Sequence, residues 1–154
     1  MMIDEQKPYR NCVVGVFINA RKEVLVALRS DHPSWQFPQG GVENGENIEE
    51  ALFREMKEEI GSDDFEILLQ SEGKLRYDFP NNKVGAIADY YRGQEQTWFL
   101  CRFKQGFGAN LKEASSNEFI DIKWVKPEET LNLVIGWKKS VYVKGLEELG
   151  LIKK

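Results

Sequence analysis

With 154 residues, 42% of them hydrophobic and 30% charged, the chain has the length for one domain, residues 1–154, and the composition of an ordinary globular protein. No apolar run reaches the length of a bilayer crossing, and the stretch from Met1 to Lys7 lacks an apolar leader, so a cytoplasmic protein with no membrane partner is expected. A net charge of −4 excludes a grip on long nucleic acid through the overall field, but leaves room for a local Arg and Lys cluster that holds one phosphorylated end.

In chain order, residues 11–19 (NCVVGVFIN) are apolar and β-branched and predict a buried strand, turned at Ala20-Arg21-Lys22 into a second strand over 24–28. Cys12 and Cys101 both lie inside such apolar runs. They read as small buried hydrophobes in a reducing compartment, not as a disulfide or a catalytic pair. Pro38 and the pair Gly40-Gly41 make 34–41 a shaped loop. A helix follows over about 47–60, with Ile48, Leu52, Met56 and Ile60 as an apolar stripe. Strands are predicted at 65–70, 75–79, 97–103 and 120–125, with a turn at 80–83 and a loop over 84–94. Trp98 and Trp124 are assigned to the core. Pro127 opens a short helix, and a last one spans 137–149 with Val141, Leu146 and Leu149 inward. Strands mixed with two or three helices suggest an α/β fold, a mixed sheet covered on both faces.

The chemistry concentrates in the first helix. Glu55, Glu58 and Glu59 stand at i, i+3 and i+4, so at about 100° per residue they share one face. Like charges at this spacing repel, and a cation that binds all three removes the penalty. Hard carboxylate oxygens suit Mg²⁺ or Mn²⁺. A merely solvated acidic face is the competing reading. The apolar stripe borders the carboxylates, so Glu59 sits near the core edge, where an unpaired charge is costly.

Around the triad stand Gly40-Gly41 before the helix, Glu46 at its opening, Arg54 beside the acids and Gly61 where the helix can stop. From Gly40 through Glu46, Arg54-Glu55-Met56 and Glu58-Glu59 to Gly61, this resembles the signature of the Nudix hydrolases, which cleave nucleoside diphosphates linked to another group. Seven positions match over 22 residues. Ser62 departs, standing where the family usually places an aliphatic residue; weaker packing at the helix end is expected, with the acidic face intact. The resemblance implies the Nudix fold, a mixed β-sheet sandwiched between helices (α/β/α), and hydrolysis of a phosphoanhydride bond. The cofactor it implies is Mg²⁺, with Mn²⁺ or another divalent ion as alternatives. It assigns Glu55, Glu58, Glu59, the Gly40 carbonyl and Glu118 to the metal. Arg54 would aim a carboxylate, its bland reading being a surface ion pair worth little. Glu118, in Ser115-Ser116-Asn117-Glu118-Phe119, is the candidate general base, with Glu59 as competitor. His32, next to Pro33 in a loop, is set aside as a bystander.

From residue 9 to about 149 the chain is similar to one branch of that family, the bacterial RNA pyrophosphohydrolases and the related dinucleoside polyphosphate hydrolases. Ser34-Trp35-Gln36-Phe37-Pro38-Gln39-Gly40-Gly41, Leu75-Arg76-Tyr77 and Gly93-Gln94-Glu95-Gln96-Thr97-Trp98 carry this likeness. It implies removal of pyrophosphate, or of two phosphates in turn, from a 5′-triphosphorylated RNA, leaving a monophosphorylated end open to a nuclease. The second reading is hydrolysis of diadenosine polyphosphates or free (d)NTPs such as (d)GTP. A third, a nucleotide-binding module without catalysis, is opposed by the intact triad. Substrate contacts implied are Arg10, Arg29, Ser34, Gln39, Tyr77, Gln96 and Lys138, with Trp137 stacking on a base. Gly136 and Trp137 depart from the relatives, so base preference does not transfer.

Overall fold

The computed structural model describes residues 6–80 and 86–154, the side chain of Ala86 excepted. Residues 81–83 of the turn predicted at 80–83, residues 84 and 85 of the predicted loop, and Met1 to Glu5 lie outside the described residues.

The first hairpin joins β1 (Tyr9–Phe17) to β2 (Val24–Arg29). β1 begins earlier than predicted and ends two residues sooner. The Asn19 side chain accepts from the Arg21 and Glu23 N–H groups, and Lys22 takes φ 61°, so the chain is already turning there. Two short strands, β3 (Trp35–Gln36) and β4 (Gln39–Gly41), stand where a loop is predicted. Then come α1 (Ile48–Ile60), β5 (Phe65–Gln70), β6 (Leu75–Asp78), α2 (Ala86–Tyr90), β7 (Gly93–Phe103) and β8 (Phe119–Val125). α2 is a correction, because 84–94 is read as loop in the sequence. β7 also starts four residues early: its first half is held by pairing to β1 on one side and β6 on the other, which no local pattern announces. A 3₁₀ turn at Pro127–Glu129 leads into α3 (Thr130–Leu133), and another at Gly136–Lys138 leads into α4 (Lys139–Glu148).

The strands form two sheets where one is expected. The larger is mixed, in the order β4-β1-β7-β5, with β6 also on β7. β1 and β7 run parallel over their whole pairing, Tyr9 opposite Gly93 to Phe17 opposite Cys101. The smaller is antiparallel, β3-β2-β8. Among the described residues, β2 is bridged to the end of the first strand through Ile18, just past β1, opposite Val24, and then pairs with β3 and β8.

Side chains alternate across these strands, and both faces are buried. Val13, Phe17, Leu25, Ala27, Phe99 and Cys101 meet Ala51, Leu52, Met56 and Ile60 of α1. Val14, Val16, Val24, Val26, Trp98 and Leu100 meet Val141, Tyr142, Leu146 and Leu149 around α4. Each Val, Leu, Ile, Phe or Met among them contributes about 1.5–3 kcal/mol by leaving water. Gly145 is needed for this approach, since a Cβ there would strike the Trp98 indole. Trp98 is fully buried as expected; Trp124 is only half-buried, edge-on to Phe103 on the short outer strand β8. Both cysteines are buried, and burial raises both thiols.

Candidate active site

The acidic helix is placed by its ends. At the start, the Glu50 N–H donates to Asn47 Oδ1 at 2.8 Å and the Asn47 N–H donates to Glu50 Oε1 at 3.1 Å, a reciprocal cap. At the finish, Gly61 adopts φ 75° and its N–H donates to the Lys57 carbonyl. A Cβ on Gly61 would also collide with the Asn110 carbonyl, so strain and crowding both require glycine. Ser62 is buried just beyond, its Oγ accepting from the Asp64 N–H at 3.2 Å; the departing residue closes a turn instead of filling the core.

Between these ends, one oxygen each from Glu55, Glu58 and Glu59 lies within 4.8 Å of the others. Arg54 ties the group to the preceding loop. Its Nε donates to Glu46 at 2.7 Å, its Nη2 to the Gly41 carbonyl at 2.8 Å, and its Nη1 to Glu55 and Glu58 at 3.2 and 3.3 Å. One guanidinium thus holds loop and helix in register, which is more than a surface ion pair does. Beside it, the Glu46 carboxyl is held down to about 2. Glu55 behaves oppositely: burial pushes it up to about 7 against the pull of Arg54, and Glu58 adds to the rise. Glu59 is raised as well, by burial and then by the Glu118 carboxylate next to it.

The Oε2 atom of Glu55 is buried without a hydrogen-bond partner among the described residues. Gly40 packs against that carboxylate so closely that a Cβ would overlap it. A cluster of hard oxygens, one of them orphaned and two with raised proton affinity, fits a divalent cation, which would supply the missing partner and displace the protons.

Glu118 reaches this group through a tethered loop. Ser116 donates its backbone N–H to the Glu58 carbonyl at 3.0 Å and its Oγ–H to Glu59 Oε2 at 3.1 Å, and accepts the Glu118 N–H at 3.0 Å. The Ser30 N–H holds the Glu118 carbonyl at 2.8 Å, binding the loop to the end of β2.

Glu118 also opens onto a cleft of about 500 Å³. Arg10, Arg29, Ser34, Gln39, Tyr77, Trp137 and Lys138 line it, bringing together seven of the eight contacts expected from the sequence. The eighth, Gln96, does not line it: it is 1% exposed and bonded to Gln39, Gln94 and Trp98. The cations are already braced. Arg29 meets Asp31 with two bonds of 2.8 Å and holds that carboxyl at about 2, and the Lys138 Nζ donates to Gln36 Oε1 at 3.4 Å. Arg10 lies over Gly41, where a Cβ would hit the guanidinium. Trp137 is half-buried and leans on Tyr77 with ring centroids 5.4 Å apart. His32, set aside in the sequence, lines the cleft too, as do Gln36, Gln94 and Asp31, which sequence reasoning missed. Gln36 and Gln94 sit inside the segments that carry the family likeness, but a neutral amide has no spacing rule that would single it out.

The NUDIX domain profile matches residues 8–144. An RNA pyrophosphohydrolase from Campylobacter jejuni is 37% identical, the match covering 97% of this chain and 100% of that one. An RNA pyrophosphohydrolase from Nitratiruptor sp. is 40% identical over 93% of this chain and 94% of its own. Among solved structures, the MutT protein from Methanosarcina mazei superposes with a TM-score of 0.66 over 97% of this chain and 99% of that one; at 20% identity the likeness is one of fold.

Proposed function

The chain belongs to the NUDIX family as a hydrolase of phosphoanhydride bonds, and from that premise we propose that it converts 5′-triphosphorylated RNA ends to 5′-monophosphate, releasing pyrophosphate or two phosphates in turn. The observation that carries this is the joint geometry: three carboxylates within 4.8 Å of one another, linked through Glu118 to a cleft walled by Arg10, Arg29 and Lys138. The full-length likeness to RNA pyrophosphohydrolases supports the choice of RNA. The domain acts as one unit over 1–154, in the cytoplasm; among the described residues no helix is long and apolar enough to cross a membrane.

Glu55, Glu58, Glu59 and the Gly40 carbonyl would hold Mg²⁺, with Glu118 as a further ligand or the base, and Arg54 keeps the carboxylates aimed. When bound, the ion would supply a Lewis acid for the phosphate oxygens and a lowered pKa for the attacking water. Arg10, Arg29 and Lys138 neutralise the rest of the polyphosphate, and Trp137 offers its face to a base. The water forms the new bond to phosphorus as the anhydride bond to the departing phosphate breaks, and its proton goes to Glu118, with Glu59 as the competing base.

The second reading, hydrolysis of diadenosine polyphosphates or (d)GTP, puts the same polyphosphate chemistry in the cleft, and a net charge of −4 fits a small nucleotide as it fits a single RNA 5′ end. Comparing kcat/KM on a triphosphorylated oligonucleotide, GTP and diadenosine tetraphosphate at one salt concentration decides between them. RNA preference is expected; a preference of about tenfold for a small molecule, equivalent to about 1.4 kcal/mol of transition-state discrimination, overturns it.

A further inference from the structure

Gln94, Gln96 and Trp98 alternate on one face of β7. The Trp98 indole nitrogen lies 2.9 Å from the Gln96 carboxamide. An indole N–H only donates, so the atom it meets must be the Gln96 oxygen. The Gln96 nitrogen is then turned the other way, 3.0 Å from Gln39 and 2.9 Å from Gln94. That nitrogen only donates, so Gln39 and Gln94 must both show it their oxygens. Their Nε2 groups are the ends left for the cleft, which both residues line. A third amide obeys the same rule. Gln36 accepts at Oε1 from Arg29 at 3.3 Å and Lys138 at 3.4 Å, both pure donors, and its buried Nε2 has no partner among the described residues.

We propose that the Trp98–Gln96 relay is a positioning device that locks Gln39 and Gln94 with their amide donors toward the cleft, so that the wall, together with Gln36, accepts only the acceptor-bearing edge of a nucleoside polyphosphate. Gln96 acts on the ligand only through its two neighbours. It is buried because the device needs its two N–H groups and its oxygen all engaged by protein. A carboxamide free to rotate would present its oxygen half of the time, and an oxygen facing phosphate or carbonyl oxygens repels them. The acceptors are phosphate oxygens or the acceptor atoms of a base, the same chemistry from two parts of one ligand. This proposal rests on the polyphosphate reading of the cleft.

The decisive variant is Gln96→Glu, which keeps the shape and removes the donors. Its carboxylate accepts from Trp98 and draws the Nε2 groups of Gln39 and Gln94 inward, turning their oxygens into the cleft. Trp98→Phe is the second variant; it removes the N–H that sets the direction while keeping an aromatic ring in the core. Equilibrium binding of GTP and of inorganic tripolyphosphate is measured on folded protein, and KM and kcat on the triphosphorylated oligonucleotide separately. Gln96→Glu is expected to weaken binding about tenfold and to raise KM more than it lowers kcat. Trp98→Phe should weaken binding about threefold, in line with one lost orienting hydrogen bond. A loss shared by GTP and tripolyphosphate supports the relay and assigns the contact to phosphate; a loss confined to GTP supports it and assigns the contact to the base. If folded Gln96→Glu and Trp98→Phe proteins both bind both probes within about twofold of the unaltered chain, the relay is refuted. Should binding fall as expected while RNA is not the preferred substrate, the substrate assignment fails and the relay stands.

Discussion

On α1, Arg54 and the three carboxylates come from six consecutive residues, 54–59, whereas the cleft beside them takes Arg10 from β1, Arg29 from β2, Gln39 from β4, Tyr77 from β6, Gln94 from β7 and Lys138 from the turn before α4. The acidic group is under electrostatic stress, with Glu55 and Glu59 holding their protons above the usual range and an oxygen left unpaired. The cations of the cleft are braced, each of Arg29 and Lys138 already engaged by a neighbour. Stress suits the part that takes up a cation, and bracing suits the part that grips a polyphosphate without collapsing onto it. The two regions should therefore separate in kinetics, the first in kcat and the second in KM.

The strongest test is on the acidic side. Glu58→Gln and Glu59→Gln should each lower kcat by about 10²-fold or more with Mg²⁺ present and leave the fold unchanged by circular dichroism. Full activity in both would show that the reaction takes place elsewhere.

A pH experiment without divalent ions sharpens the electrostatic half. Glu55 keeps its proton to about 7 when folded but releases it near 4.5 in an ordinary peptide. Between those values the folded protein binds the extra proton, so ionising Glu55 destabilises it as pH rises. Across that window the unaltered chain should lose stability relative to Glu55→Gln, whose amide stands in for the protonated carboxyl, so the gap between the two should grow in the variant's favour by of the order of 3 kcal/mol in total. Adding Mg²⁺ at neutral pH should restore stability and release protons. Parallel denaturation curves for the two proteins at all pH values would contradict the assigned stress.

On the cleft side, Trp137→Ala should weaken RNA turnover through KM by about 1–3 kcal/mol if the indole stacks on a base. Because Trp137 also packs on Tyr77 and Phe79, thermal melting must accompany the assay. An unchanged KM with a lowered melting point would make it a packing residue. The smallest effect belongs to Ser62→Ala, which removes the bond to Asp64 at the end of α1 and should cost about 0.5–1.5 kcal/mol in stability with kcat unaffected.

What could be read in advance follows the same division. Helix ends, the acidic face and the apolar stripe of α1 obey a local period of 3.6 residues, so each appears where the spacing puts it. β1 and β2 are legible because strands buried on both faces become continuous apolar runs. α2 is not legible because five residues, 86–90, are too few to show a period, and the first half of β7 is not because Gly93-Gln94-Glu95-Gln96 has no apolar pattern and is a strand by virtue of its neighbours. The residue type of Gln96 and its place in a family-like segment point to the site, but its burial behind Gln39 and Gln94 is a property of the assembled sheet.

The sequence by itself determined the carboxylate cluster, the arginine beside it, the glycines that let the loop approach and the family to which they belong, because these depend on the separation of residues along one helix and one loop. Only the tertiary structure decided that Arg10, Arg29 and Lys138 face a common space, that Glu118 comes to rest against Glu59, that the strands divide into two sheets, and which ends of the buried amides point outward. Those outcomes depend on strand pairing and on donors meeting acceptors between segments distant in the chain, and no spacing along the chain encodes them.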